Sequence, residues 1–385
     1  MELPLKGLVV LEFSQYLSGP SAALRLADLG ARVIKIERPD GGDAGRKLAI
    51  KNLWADDSSL LFHTINRNKE SFVANLKNAD DISTLKKLIA KADVMIHNFR
   101  PGVMDKAGLG YEAIKEINRR IIYARISGYG KEGPWKDKPG QDLLLQSITG
   151  LTYTTGNGDN GPVPFGIAVG DILSGAQLVQ GIIAALIRRQ KTGAGALIEV
   201  SLMESLLDFQ FELLTTYFTS KRQPQRSVSN NGHPLLSAPY GLYKTTDGYI
   251  ALAMMDIHAL ADAIKCNELK RFSKEQVFAE RDAIKKIITD SLIKQSSAYW
   301  IELLSRSGLW AMEVLDWEQM MSHNAYKILE TEQRLNASGK QITTTRCPIR
   351  INGKKLFANR AAPELGKHNA NVIDELVNGK MNGIH

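Results

Sequence analysis

A strand–helix–strand pattern at the start of the chain constrains the fold more than any other feature. Residues 7–13 form a short apolar run, residues 18–30 carry an apolar helical face, and residues 31–37 form a second apolar run. Such a βαβ unit predicts two parallel strands joined by a right-handed crossover. We therefore expect an open, mostly parallel α/β sheet whose ligands bind beyond the carboxyl ends of its strands.

The length and the changes in composition predict more than one domain. The chain has 385 residues, more than one ordinary core accommodates. Two polar, apolar-poor stretches rich in Ser, Thr or Gly are interpreted as linkers. The predicted organisation is a large α/β domain with a Rossmann-like parallel sheet (1–220), a linker (221–232), a smaller α+β domain (233–334), a second linker (335–346) and a return to the large domain (347–385).

Composition argues against several classes of function. The formal charge is +8, which could indicate nucleic-acid binding, but the bases are scattered among acids, and a phosphorylated small ligand accounts for the excess equally well. We expect no nucleic-acid partner and keep a nucleic-acid-binding module as a remote alternative. Cys266, Cys347 and seven dispersed histidines predict neither a disulfide framework nor a metal site. The amino terminus lacks the features of a signal peptide, and the longest apolar run is short for a membrane span. We expect a cytoplasmic protein with no membrane partner.

An aspartate preceded by glycine opens the longest apolar segment. Residues 166–175 read Gly-Ile-Ala-Val-Gly-Asp-Ile-Leu-Ser-Gly, and an apolar run over residues 176–187 follows. This pattern predicts a helix with Asp171 as its N-cap. Gly170 would allow a ligand to approach closely, and the helix dipole favours an ionised carboxylate. Asp171 is therefore a candidate nucleophile as well as a cap.

Polar side chains follow several predicted strands. Glu37 and Arg38 end the second strand, but the preceding turn over residues 14–20 has no GxGxxG pattern, so a dinucleotide site is not expected. Asn98 and Arg100 follow a strand predicted over residues 94–97. Arg38, Asn98 and Arg100 are candidate ligand contacts, and a surface arginine and a plain turn are the alternatives.

The order of several short motifs resembles the class III coenzyme A transferases, the CaiB/BaiF-like group of formyl-CoA transferase and carnitine-CoA transferase. These motifs extend over nearly the whole chain: Leu5-x-Gly7-x-x-Val10-Leu11, Asn66-x-Asn68-Lys69-x-Ser71, Asn98-Phe99-x-Pro101-Gly102, Gly170-Asp171-x-x-x-Gly175, Lys191-Thr192-Gly193-x-Gly195, Ser237-x-Pro239-Tyr240 and Leu365-Gly366-x-His368. The resemblance implies a transferase that forms an interlocked homodimer. It also implies acyl-CoA and a free carboxylic acid as substrates, with no permanently bound cofactor.

By this resemblance Asp171 is the catalytic aspartate. It would carry CoA from an acyl-CoA thioester to a carboxylic acid through an aspartyl mixed anhydride and an aspartyl-CoA thioester. The resemblance implies supporting roles for Gln141, Asp142, Gly232 and His233. The implied CoA-binding residues are Leu17, Ser18, Arg38, Asn75, Lys77, Asn98, Phe99, Arg100 and Lys106. Leu17 and Lys106 stand where formyl-CoA transferase has glutamine and arginine.

Two other functions remain open. A 2-methylacyl-CoA racemase of the same fold has a histidine directly before an aspartate at a helix start, and it uses this histidine to move a proton. Here the dipeptide is Gln141-Asp142, and glutamine does not shuttle a proton, so the sequence favours a transferase. The second alternative is a CoA-binding protein without catalysis, which the retained Asp171 disfavours. Asp142 is interpreted either as an orienting residue near Asp171 or as another helix cap.

Overall fold

The computed structural model describes residues 2–379, which form two compact units. The units are built from interleaved segments of the chain. The first contains residues up to Leu145, Ala168–Leu206 and the chain from Leu329 onwards, and the second contains Gln146–Ile167 and Leu207–Ile328. These bounds differ from the domain limits predicted at residues 220 and 346, because the units change within the helix Leu202–Phe209 and again after Ile328.

A six-stranded parallel sheet forms the core of the first unit. Its strands in chain order are β1 (Val9–Glu12), β2 (Arg32–Glu37), β3 (Lys69–Val73), β4 (Val94–His97), β5 (Ile122–Ser127) and β6 (Ala196–Ser201). Their order across the sheet is β3-β2-β1-β4-β5-β6, and every neighbouring pair is parallel. The predicted α/β fold is confirmed. The order reverses between β1 and β4, so the carboxyl ends of these strands frame the crevice where such sheets bind ligands.

Helices connect these strands and cover the sheet. They are α1 (Ser18–Asp28), α2 (Leu60–Asn66), α3 (Ala79–Ile89), α4 (Val103–Lys106), α5 (Tyr111–Ile117), α6 (Asp142–Ile148) and α7 (Val169–Thr192), with short 3₁₀ turns at Ala44–Lys47, Ile50–Asn52 and Leu151–Tyr153. All residues of β1, β2 and β4 are buried. Strands buried on both faces need near-continuous apolar sequence, and the charged residues that interrupt β2, namely Arg32, Lys35 and Glu37, are all in ion pairs.

Helix α7 has 24 residues, so the expectation that this apolar run is short for a membrane span is wrong by length. Its length and composition alone would allow it to cross a membrane. In the first unit it packs against α1, β5 and β6. At Gly175 an added Cβ would lie 2.4 Å from the Ser21 hydroxyl oxygen and 2.8 Å from the Ser18 carbonyl oxygen. Glycine is therefore required for α7 to approach α1 this closely.

The second unit contains an antiparallel sheet surrounded by helices, which agrees with a smaller α+β unit. Its elements begin with α8 (Leu202–Phe209), whose first residues belong to the first unit, and continue with α9 (Phe211–Ser220), β7 (Gly241–Lys244), β8 (Tyr249–Leu252), α10 (Ile257–Ala263), a 3₁₀ turn (Asn267–Arg271), α11 (Gln276–Ala279), α12 (Arg281–Leu292), α13 (Ser297–Arg306), β9 (Ala311–Glu313), α14 (Trp317–Ser322) and α15 (Asn324–Leu329). The sheet order is β7-β8-β9. The segment predicted as a linker over residues 221–232 contains no helix or strand.

The prediction of a second linker over residues 335–346 is wrong, because this segment lies in a β-hairpin. The carboxyl-terminal elements are β10 (Glu332–Ala337), β11 (Lys340–Thr345), β12 (Cys347–Ile351), β13 (Lys354–Leu356) and α16 (Asn369–Val377). Strands β10 and β11 are antiparallel, and Ser338 and Gly339 adopt positive φ angles in the turn. Buried and exposed residues alternate along β10. The threonines that suggested a flexible linker suit a half-buried strand equally well.

A cluster of buried charges fixes the carboxyl ends of the central strands. Lys35 is fully buried, and its Nζ lies 3.0 Å from Glu12 Oε1 and 2.8 Å from Asp43 Oδ2. The same ammonium group donates a hydrogen bond to the carbonyl oxygen of Ser14 at 2.9 Å. Lys69 Nζ lies 2.8 Å from Glu12 Oε2. The cluster therefore ties β1, β2, β3 and the loop after β2 to the start of the turn that leads into α1.

Replacing Lys35 with methionine should destabilise the protein strongly. The change leaves Glu12 and Asp43 buried with one cation fewer, and breaking a buried pair costs about 3–5 kcal/mol in the free energy of unfolding. Lys6→Met is the matched control, since Lys6 pairs with Glu2 at an exposed site and should cost less than about 1 kcal/mol. Urea denaturation of both variants measures the difference. Equal losses of stability would contradict the structural role of the cluster.

Candidate active site

The turn between β1 and α1 is held rigidly by Asn98, the first residue after β4. Asn98 Oδ1 accepts a hydrogen bond from the Gln15 backbone N–H at 2.9 Å, and Asn98 Nδ2 donates to the Gln15 carbonyl oxygen at 2.7 Å. Asn98 Nδ2 also donates to Ser18 Oγ at 3.3 Å. The turn also donates its Tyr16 backbone N–H to Asp43 at 3.1 Å. The side chain of Asn98 thus braces this turn, and its predicted contact with CoA stays a prediction.

A cavity of about 380 Å³ opens beyond the carboxyl ends of the first four strands. Four of the predicted CoA-binding residues line it: Arg38, Asn75, Lys77 and Phe99. Arg38 and Lys77 are exposed and carry positive charge at its edge. Arg38 Nε donates to the Gly42 carbonyl oxygen at 2.9 Å, which orients the guanidinium group. The lining also includes three acids, of which Glu37 is paired with Arg46 and Asp43 with Lys35, while Asp40 is the third. The cavity therefore combines cations, acids and an aromatic face at the crevice where the strand order reverses.

The remaining predicted CoA-binding residues lie elsewhere. Arg100 lines a smaller neighbouring cavity of about 50 Å³, together with His97 and Phe99. Lys106 is an exposed residue of α4 and lines neither cavity as the described residues form them. Leu17 is the N-cap of α1, and Ser18 is the first residue of that helix. The structure thus divides the predicted set between two cavities, a helix start and an exposed helix.

Phe99 is positioned by the buried ring of His97, a residue that the sequence reading did not single out. The two rings are stacked, with centroids 6.2 Å apart and an angle of 25° between their planes. Burial, and then the nearby charge of Arg125, lower the pKa of His97 to about 3. A neutral ring is therefore stacked on Phe99, which lines both cavities.

Asp171 is placed differently from its prediction as an N-cap. The N-cap of α7 is Ala168, which makes no side-chain capping bond, and Asp171 lies in the first turn of the helix. Its carboxyl group accepts a hydrogen bond from the side chain of Ser18. Because the turn that ends at Ser18 also lines the larger cavity through Phe13, Ser14 and Gln15, one short segment connects the carboxyl group of Asp171 to the cavity.

Asp142 caps the helix that carries Asp171. Asp142 Oδ1 accepts hydrogen bonds from the backbone N–H groups of Gly170 at 2.6 Å and Asp171 at 3.2 Å. A Cβ added to Gly170 would lie 2.9 Å from that oxygen. Gly170 is therefore small because the carboxyl group of Asp142 needs the space, rather than because a ligand approaches there. This contact agrees with an orienting residue near Asp171, and the helix that Asp142 caps is α7 rather than α6, the helix that it opens.

The electrostatics of Asp171 depend on burial and on a neighbouring acid as well as on the helix dipole. Burial, and then the neighbouring carboxyl group of Asp142, raise the pKa of Asp171 to about 6, while the hydrogen bond from Ser18 opposes this shift. The helix dipole favours the ionised form, as expected from the sequence. Burial and the like charge of Asp142, which accepts the backbone donors at the helix N-terminus, act against it.

The other supporting residues divide between the two units. Gln141 is exposed, directly before α6 in the first unit. Gly232 and His233 belong to the second unit, where His233 Nε2 lies 2.7 Å from Glu212 Oε1. Their predicted roles beside Asp171 remain predictions. Within residues 2–379, no group of three or more His, Cys, Asp or Glu residues is arranged to hold a metal ion.

The chain resembles known proteins over most of its length. The sequence model of CoA-transferase family III matches residues 5–369. The acetyl-CoA:oxalate CoA-transferase of Acetobacter aceti is 36% identical over 81% of this chain and 81% of that protein. The succinyl-CoA:glutarate CoA-transferase of Homo sapiens is 32% identical over 80% of this chain and 70% of that protein. The crystal structure of a CAIB/BAIF family protein from Brucella suis matches with a TM-score of 0.83 and 29% identity, covering 98% of this chain and 100% of that one.

The carboxyl group of Asp171 should titrate near pH 6, and Asp142→Asn should lower its pKa. The substitution removes the neighbouring negative charge but keeps an amide oxygen that can accept the two backbone hydrogen bonds. A ¹³C NMR titration of protein labelled at aspartate carboxyl carbons measures this shift. Asp159→Asn, on an exposed loop, is the control and should leave the Asp171 titration unchanged. An identical midpoint in Asp142→Asn and in the unmodified protein would contradict the coupling.

Proposed function

The chain belongs to CoA-transferase family III and is a CoA transferase, and from this premise we propose that Asp171 carries the transfer as a covalent nucleophile. The transfer runs between an acyl-CoA thioester and a free carboxylic acid. The observation that supports the proposed role is the position of Asp171. Its partly buried carboxyl group accepts a hydrogen bond from Ser18, at the end of the turn that lines the larger cavity.

The first half of the proposed reaction loads CoA onto the enzyme. A carboxylate oxygen of Asp171 attacks the thioester carbon, a C–O bond forms, and the C–S bond breaks to release the CoA thiolate. The product is a mixed anhydride, which keeps the activation of the thioester. The thiolate then attacks the aspartyl carbonyl carbon. An aspartyl-CoA thioester forms, and the donor acid leaves with the bridging oxygen.

The second half repeats these steps in the opposite direction. The carboxylate of the acceptor acid attacks the aspartyl-CoA carbonyl carbon and displaces the thiolate, which gives a second anhydride. The thiolate attacks the acyl carbon of the acceptor, and the new acyl-CoA leaves while the Asp171 carboxylate is regenerated. A pKa of about 6 is compatible with nucleophilic attack by Asp171, because its carboxyl group is mostly ionised at pH 7.

The cavity beyond the strands supplies the features that CoA requires. We propose that Arg38 and Lys77 bind its phosphate groups, since both are cationic and line the cavity edge. Phe99 provides an apolar surface, and Asn75 a polar one. Arg100, Asn98, Lys106, Leu17 and Ser18 remain proposed contacts on the basis of the family resemblance. The same resemblance is our ground for proposing an interlocked homodimer, and the cytoplasmic location expected from the sequence stays a proposal.

We also propose that at least one of the two exchanged acids is a dicarboxylic acid. The support comes from the two relatives described above, whose names specify oxalate in one case and succinate and glutarate in the other. Acids of this kind keep one free carboxylate while the other is activated. Leu17, in place of the glutamine of formyl-CoA transferase, distinguishes this chain from that enzyme at the turn beside Asp171.

Asp171→Asn should reduce CoA transfer by about a thousandfold or more, because the amide is not a nucleophile. The assay combines acetyl-CoA or succinyl-CoA with oxalate, glutarate, succinate or propionate, and chromatography follows the acyl-CoA products. The rate in the unmodified enzyme should fall as the pH drops through about 6, where Asp171 becomes protonated. Asp159→Asn, the same change on an exposed loop, should keep full activity.

Undiminished transfer by folded Asp171→Asn enzyme would contradict the nucleophile. Failure of every acid in the panel would contradict the proposed substrate class. Deuterium uptake from solvent at the α-carbon of a 2-methylacyl-CoA, without CoA exchange, would instead indicate a racemase. Circular dichroism of each variant separates loss of chemistry from loss of fold.

A further inference from the structure

A third cavity of the first unit, of about 400 Å³, lies between α1, α2, the first turn of α7 and the carboxyl-terminal strands. Three of its lining residues are cations, namely Arg25, Arg67 and Arg346, and its lining, within the described chain, includes no acid. The other lining residues are Ser21, Leu24, Thr64, Ile65, Ile172, Thr331, Thr345 and Pro348. Among the described residues, this cavity shares no lining residue with the cavity that contains Arg38 and Lys77.

The buried carboxylate of Asp28 forms ion pairs with two of the three arginines, Arg25 and Arg67. Asp28 Oδ2 lies 3.0 Å from Arg25 Nη1 and 3.0 Å from Arg67 Nη2. Arg67 is 2% exposed, and its Nε has no hydrogen-bond partner among the described residues. Burial, and also repulsion from Arg25, hold the pKa of Arg67 below its usual value. The two guanidinium groups thus share a single acid.

Arg346 has carbonyl partners in place of a carboxylate. Arg346 is 6% exposed, and it donates to the carbonyl oxygens of Glu330 at 2.8 Å, Leu329 at 2.9 Å and Cys347. Within residues 2–379 it makes no ion pair closer than 4 Å. The carboxylate of Glu330 is exposed and lies 2.9 Å from Lys355 Nζ. A buried cation without a carboxylate partner is costly, so a bound anion would lower the free energy of this site.

The lining also offers an unused hydroxyl group. Thr331 Oγ1 is buried and has no hydrogen-bond partner among the described residues. Ser21 and Thr64 both use their hydroxyl groups as donors to backbone carbonyl oxygens of their own helices. Arg67 Nε and Thr331 Oγ1 are therefore two buried donors without partners among the described residues, and both residues line the same positively charged cavity. A volume of about 400 Å³ exceeds that of a single small ion and is within the range of small-ligand pockets.

We propose that this cavity binds a small organic or inorganic dianion through carboxylate or phosphate oxygens. Three guanidinium groups against one carboxylate leave an excess of two positive charges, which a dianion neutralises. Arg25, Arg67 and Thr331 would donate to its oxygens, and Leu24, Ile65 and Ile172 would contact its carbon atoms. Because Ile172 directly follows Asp171, the bound dianion would contact the first turn of the helix that carries the proposed nucleophile.

Isothermal titration calorimetry on the full-length protein tests this site without CoA. Succinate and inorganic phosphate are titrated separately in a buffer of low chloride concentration. We expect saturable binding of at least one probe at one site per chain, and the probe that binds identifies carboxylate or phosphate as the preferred group. Arg25→Gln and Thr331→Val should each weaken binding, by about tenfold or more for the arginine.

Arg350→Gln is the matched control, because Arg350 is an exposed arginine of the neighbouring strand β12 and does not line the cavity. It should change the affinity less than about twofold. Arg25 and Thr331 are chosen over Arg346 because Arg346 donates hydrogen bonds to three backbone carbonyl oxygens, so its replacement would destabilise the fold. Melting temperatures of all variants verify that each one is folded.

Three results would overturn the proposal. One is the absence of saturable binding for both probes, and another is equal affinity in Arg25→Gln, Thr331→Val and the unmodified protein. A third is loss of binding in Asp171→Asn while Arg25→Gln retains it, which would assign the ligand to the catalytic centre. Since binding is measured without CoA, these outcomes are independent of whether the transfer reaction itself is correct.

Discussion

The buried contact between Lys35 and two carboxylates is the interaction on which the rest of the site depends. Glu12 and Lys35 are register partners on adjacent strands, so the parallel pairing of β1 with β2 brings their charges together. Asp43 reaches the same ammonium group from the loop after β2. That one contact fixes both walls of the larger cavity, since the turn after β1 forms one wall and the loop after β2 forms another.

The pKa of Asp171 also depends on a neighbouring buried charge, that of Asp142. The helix N-terminus would normally stabilise its carboxylate, but Asp142 accepts the backbone donors of that terminus. What remains for Asp171 is burial, a like charge and one hydroxyl donor, and the result is a raised pKa. The two carboxyl groups thus have different environments: Asp142 caps the helix, and Asp171, the proposed nucleophile, makes no such capping bond.

Sequence reasoning recovered the parallel sheet and a helix beginning near Asp171, because the periodicity of strands and helices is a local signal. The strand Val94–His97 has the bounds that the sequence predicted. Sequence reasoning failed where the determining contacts are distant along the chain. The hairpin of β10 and β11 has a polar composition with three threonines in β11, like that of a linker, and only its packing reveals the two strands.

In the candidate site too, features with a local sequence signal were predicted and features that depend on distant contacts were not. Arg38, Asn75, Lys77 and Phe99 were predicted and do line one cavity, as their positions after strands required. The capping of α7 by Asp142 could not be read from the sequence, since 28 residues separate Asp142 from Gly170 and no local pattern connects them. The buried charges Glu12 and Lys35 could have been suspected from their place inside apolar strands, where an unpaired charge would be unstable.

The fate of oxygen in the acceptor acid tests the covalent role of Asp171 most directly. In the proposed cycle the bridging oxygen of the second anhydride remains on the aspartate when the new acyl-CoA leaves. Turnover with an ¹⁸O-labelled acceptor acid should therefore place ¹⁸O in the peptide that contains Asp171, as detected by mass spectrometry after digestion. Direct transfer of ¹⁸O to the donor acid within one turnover, with an unlabelled Asp171 peptide, would contradict the account.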